Sequence, residues 1–132
     1  MITKQTRQEG KAMLVNIPVI TMAPEIAFTG TDEEIEKLEN QENECSAAWR
    51  KIIENPGFQA IGFQHGTDYL VVSSCTDGNG IYRLTYFWNG EKANGKTYHM
   101  DPTMHENYSD LEKLLFQLTT FCYGNEIVAE IA

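Results

Sequence analysis

DYLVVSSCTDGNGIYRLTYFW, residues 68–88, is the stretch whose reading decides the fold. It joins two runs rich in β-branched and aromatic residues through Asp77-Gly78-Asn79-Gly80, a turn whose centre needs positive φ. This pattern predicts a β-hairpin. A two-residue loop at Gly78-Asn79 would place residue 76 opposite residue 81. Cys75, Ser73, Val71 and Tyr69 would then face Tyr82, Leu84, Tyr86 and Trp88, with Ser74, Val72 and Leu70 against Arg83, Thr85 and Phe87 on the other side. Both faces of such a hairpin are partly apolar, so both are expected to need cover.

Working outward, Phe58–Gln64 reads as a strand with Ile61 and Phe63 on one side, which makes residues 58–89 a three-stranded meander. Asn89-Gly90 and Asn94-Gly95 are turn signals, Lys96–Met100 a short strand, and Asp101–Tyr108 a loop. Upstream, Met13–Met22 reads as a strand that, because of Pro18, belongs at a sheet edge or carries a bulge, with Pro24–Gly30 as a connector. Residues 1–11 read as a flexible tail and 12–132 as a single domain. Downstream, Glu126–Ile131 reads as a last strand.

Two helices complete the pattern. Thr31 and Glu34 have capping-box spacing and Asn55-Pro56-Gly57 is a stop, so a helix is expected over 31–54. Its apolar stripe is Ile35, Leu38, Cys45, Trp49 and Ile52, interrupted by Glu42, which predicts an amino-terminal half partly off the body. Ser109 and Glu112 read as a second capping box, opening an amphipathic helix over 109–122 on Leu111, Leu114, Leu115, Leu118 and Phe121. The expected fold is α+β, an antiparallel sheet with both helices packed against it.

The chain has 132 residues, 42% of them apolar, enough for one core. Nineteen acidic against ten basic residues leave a net charge of −9. Direct nucleic-acid binding is disfavoured, because phosphate sites need clustered Lys and Arg. Asp32–Glu44 carries seven of the acidic residues and one lysine, so two thirds of the net charge falls on one helical stretch. A strip of this kind steers basic partners. The expected role is a non-enzymatic acidic protein-interaction module. Its partner would be a protein with a basic surface, such as a nucleic-acid-handling enzyme or defence-system nuclease, met through carboxylates that stand where phosphates would. Glu33, Glu36, Glu39 and Glu44 are the candidate contacts.

A different reading moves binding to the rings. Tyr69, Tyr82, Tyr86 and Trp88 would form an aromatic platform for a homodimer, or for a chaperone- or immunity-type partner. A third class, a metal-dependent enzyme, rests on His99, Asp101, His105 and Glu106, whose imidazoles and carboxylates would converge from a loop. Spacing of this kind is common by chance, and neither HExxH nor CxxC supports it. No cofactor is implied, because GxGxxG and GxxxxGK[ST] are both absent. Cys45, Cys75 and Cys122 are widely spaced and odd in number, which points to a reducing, cytoplasmic setting. A cysteine nucleophile needs a His and electropositive surroundings, and Cys45 sits among carboxylates. No run is long enough to span a bilayer.

Overall fold

The computed structural model describes residues 13–75, 78, 80–88, 91–93, 96–98 and 104–131. In chain order the elements are β1 (Met13–Ile17), α1 (Ile26–Thr29), α2 (Asp32–Ile53), β2 (Ala60–His65), β3 (Asp68–Ser74), β4 (Tyr82–Phe87), β5 (Glu91–Ala93), β6 (Lys96–Tyr98), β7 (Met104–Tyr108), α3 (Leu111–Thr120) and β8 (Ile127–Ile131). Six strands form one sheet in the order β1-β8-β2-β3-β4-β7, and β5 and β6 pair as a separate ribbon. Every pairing between these strands is antiparallel. The fold is α+β, with the long helix and the shorter one packed against the sheet.

The meander β2-β3-β4 forms as expected, but its second hairpin is shifted by one residue. Ser74 lies opposite Tyr82, Val72 opposite Leu84, and Leu70 opposite Tyr86. The shift is visible at the strand ends, where the Cys75 N–H donates to the Ile81 carbonyl at 2.9 Å, so residue 75 rather than 76 stands opposite residue 81. Positive φ falls at Gly78 (83°) and Gly80 (144°). At Gly80 the chain also runs close to β7, where a Cβ would lie 3.2 Å from the Tyr108 backbone. A one-residue slip exchanges faces. Leu70 and Val72 therefore join Leu84, Tyr82 and Tyr86 on one face, while Tyr69, Val71 and Ser73 join Arg83, Thr85 and Phe87 on the other.

Among the described residues, helices cover only the first of these faces. Ile17, Ile61, Phe63, Leu70, Val72, Leu84, Ile127 and Ala129 meet Leu38, Cys45, Trp49, Ile52 and Ile53 of α2 and Leu114, Leu115 and Leu118 of α3 in one core. Trp49 and Phe63 pack with ring centroids 5.1 Å apart, and Phe63 and Phe121 at 5.7 Å. The opposite face keeps Leu14, Gln64, Val128 and His105 exposed. It solves its apolar problem locally, by laying Tyr69 over Gly62. A Cβ on Gly62 would sit 2.1 Å from the Tyr69 hydroxyl oxygen. Tyr69 is 5% exposed.

Other differences follow from tertiary pairing. Residues 104–108 are an edge strand against β4 rather than loop. Pro24–Gly30 contains the short helix α1. Asp110, not Ser109, caps α3, its carboxylate accepting the Glu112 N–H at 2.9 Å. The first strand ends at Ile17, before Pro18, and lies at an edge as expected. Among the described residues no helix is long and apolar enough to cross a membrane. The 1–11 tail and the turns at Asn89-Gly90 and Asn94-Gly95 lie outside the described residues.

Candidate functional site

Thr31 and Glu34 close the capping box at the start of α2. The Thr31 N–H donates to the Glu34 carboxylate at 2.8 Å, and the Glu34 N–H to the Thr31 hydroxyl at 3.2 Å. With Asp32 and Glu33 beside it, the helix places negative charge at its positive end, where the macrodipole favours it. Apart from Glu42, the rest of the acidic run faces solvent. Glu33, Glu36, Glu39 and Glu44 are all exposed, spread over a length of helix that a rise of 1.5 Å per residue makes about 17 Å. Among the described residues Arg50 makes the ion pairs, with Glu54 at 3.3 Å and with Glu112 of α3, and these four carboxylates enter neither.

The amino-terminal half of α2 is held to the body, contrary to the expectation drawn from Glu42. Leu38 is buried in the core. The Thr21 N–H donates to the Gln41 side-chain oxygen and the Gln41 amide donates to the Thr21 hydroxyl, both at 3.0 Å. Glu42 breaks the apolar stripe because it accepts the Tyr123 hydroxyl. Burial, and then the Glu42 carboxylate, push the Tyr123 hydroxyl above its ordinary pKa. An acidic helix fixed at both ends presents its charges in one geometry.

The four candidate rings do not share a surface. Tyr69 is buried on the face away from the helices, where burial and then Glu130 push its hydroxyl up to about 12. Tyr82 and Tyr86 are half-buried on the helix side, and Tyr86 accepts from the Gln117 amide at 3.4 Å. Trp88 is exposed, just past the end of β4. The one-residue change of register is what separates Tyr69 from the other rings.

Of the candidate metal ligands, His99 and Asp101 lie outside the described residues. His105 and Glu106 are consecutive in β7 and project to opposite sides of the sheet. His105 stands opposite Thr85, and Glu106 opposite Leu84, where it accepts the Tyr108 hydroxyl at 3.2 Å. That pair cannot converge on one ion. Among the described residues no group of three or more His, Cys, Asp or Glu side chains is placed to hold a metal.

All three cysteines are free thiols. Cys45 and Cys122, 77 residues apart in sequence, meet in the core. The neighbouring Cys122 thiol, and then burial, push the Cys45 thiol up. Glu44 is not among the causes. Cys75 is partly buried, with a guanidinium nitrogen of Arg83 at 3.9 Å.

One feature has no counterpart in the sequence reading. Between α2 and α3 runs a groove of about 450 Å³, lined by Glu42, Asn43 and Ser46 on one side and by Glu112, Leu115, Phe116 and Thr119 on the other, with Pro24 and Tyr123 beside them. Leu115 lies at its base, 1% exposed, while Phe116 stands 75% exposed. The signal was present: Phe116 falls off the stripe that buries Leu114, Leu115 and Leu118. Compared with known protein families, curated proteins and solved structures, the chain gives no match.

Proposed function

We propose that this chain is a small acidic interaction module that binds and neutralises a basic protein. A cytoplasmic enzyme that handles nucleic acid, such as a defence-system nuclease, is the partner class that fits. The observation that carries this reading is the solvent-facing row of Glu33, Glu36, Glu39 and Glu44, exposed and outside the ion pairs among the described residues, on a helix anchored to the core. Carboxylates gathered on one anchored helix offer a basic groove the charge it would otherwise take from phosphates. The docking of the helix supports the same reading, because a backbone already held in place need not be ordered on binding.

The test is association with a basic partner recovered by affinity capture at low salt. Changing Glu36, Glu39 and Glu44 together to Lys should slow association at least tenfold while circular dichroism stays unchanged. Glu33 is left in place because it also supports the helix dipole. Raising salt should weaken the wild-type complex, since screening reaches about 10 Å at 0.1 M. Association that ignores both the charge reversal and the salt would assign this row to solubility.

A further inference from the structure

The groove between α2 and α3 combines an apolar base with an acidic flank. Leu115 forms its base and Phe116 stands over it, an aromatic ring left 75% exposed in the middle of a helix that buries Leu114, Leu115 and Leu118. The hydroxyl of Thr119 donates to the Leu115 carbonyl at 2.8 Å and that of Thr120 to the Gln117 carbonyl at 2.6 Å. Both hydroxyl protons are thereby satisfied within α3, which reduces the polarity of this wall. Glu42 and Glu112 stand at the margins, and among the described residues no basic side chain lines the groove. Arg50, which reaches the groove-lining Glu112, is held by that residue and by Glu54. Glu39 lies one turn before Asn43 on the same flank of α2.

We infer that this groove docks an amphipathic basic segment of a partner protein, with one apolar side chain seated on Leu115 and Phe116 and flanking Lys or Arg side chains reaching Glu42 and Glu39. The inference rests on the basic-partner reading and deepens it, because it assigns the anchor of the complex to the groove and leaves steering to the outer carboxylates of α2. The occupant follows from charge. A second copy of this chain brings −9 to a site already rimmed by carboxylates, so self-association here sets acid against acid. A neutral apolar segment leaves Glu42 and Glu39 without counterions at the edge of a desolvated contact. A segment of alternating apolar and basic side chains satisfies both parts, in the manner of a helix laid in a groove.

Two synthetic peptides of equal length and charge separate the possibilities. One places Leu among Lys at helical i, i+3, i+4 spacing, and the other replaces every Leu with Ser. The Lys–Leu peptide is expected to bind the full chain and to shift the methyl resonances of Leu115, Thr119 and Thr120. Phe116→Ser, at a site exposed enough to leave folding intact, should weaken it about tenfold or more. Thr120→Trp, which fills the groove from an exposed position, should weaken it as much. Equal binding of both peptides, with Phe116→Ser and Thr120→Trp silent, overturns the groove and leaves the acidic reading standing. Binding of neither peptide at low salt overturns both. Dimerisation of the free chain that Thr120→Trp abolishes would assign the groove to a second copy and overturn the basic occupant.

Discussion

Gly62→Ala is the substitution that most directly tests how the open sheet face is built. The added Cβ would lie 2.1 Å from the Tyr69 hydroxyl oxygen, 2.8 Å from Cζ and 3.1 Å from Cε2. Carbon contacts are comfortable at roughly 3.5–4.0 Å, so the ring must move by about an ångström or more. Tyr69 is 5% exposed and has little room to shift. Overpacking of this kind costs about 1–3 kcal/mol. Replacing Gly within a strand returns roughly 0.5–1 kcal/mol, because Gly loses the most backbone freedom on folding. The net expectation is a loss of about 1–2 kcal/mol, read by urea denaturation with far-ultraviolet circular dichroism.

In a Tyr69→Ala background the obstacle is gone. There Gly62→Ala should be neutral or slightly stabilising, giving a coupling of about 2 kcal/mol in the double-mutant cycle. The measurement has a clear negative. If Gly62→Ala costs the same with and without the Tyr69 ring, the ring does not lie on that glycine and the account of this face is wrong.

Tyr69 also predicts alkaline behaviour. Its hydroxyl is held up to about 12 in the fold against about 10 unfolded, so its contribution is fully present below pH 10 and is lost as pH rises toward 12. Tyrosinate absorbance and unfolding should therefore rise together in wild type, and Tyr69→Phe should retain more stability across that window; an identical alkaline profile would refute the assignment. At α3, Asp110→Ala should cost about 1 kcal/mol and Ser109→Ala only a few tenths, since Asp110 holds the Glu112 N–H. Chemical denaturation of the two variants decides it, and the reverse order would restore Ser109 as the cap.

The elements themselves were legible in the sequence because their signals are local. The Thr31–Glu34 box, the stop at Asn55-Pro56-Gly57 and the spacing of Leu111, Leu114, Leu115 and Leu118 act within a turn or two of the chain. Alternation of Ile61 and Phe63 acts within one strand. These features place α2, α3 and the meander, and charge counting alone placed the exposed carboxylates of α2. Pro18 likewise narrowed the first strand to an edge or a bulge, and the strand stops just before it at an edge.

Only the tertiary structure decided what depends on distant partners. The register of β3 against β4 turns on a single residue of loop, and that residue determines whether Tyr69 stands with Tyr82 and Tyr86 or behind them. Residues 104–108 became a strand because β4 offered an edge to pair with, although Met-His-Glu-Asn-Tyr has no clear alternation of its own. Glu42 looked like a fault in an apolar stripe until Tyr123, 81 residues later, met it as a donor. Cys45 and Cys122 became neighbours, and the Phe116 groove opened, through the packing of α2 against α3. Local propensity has a range of a few residues, and such contacts are made by surfaces that exist only once both elements have formed.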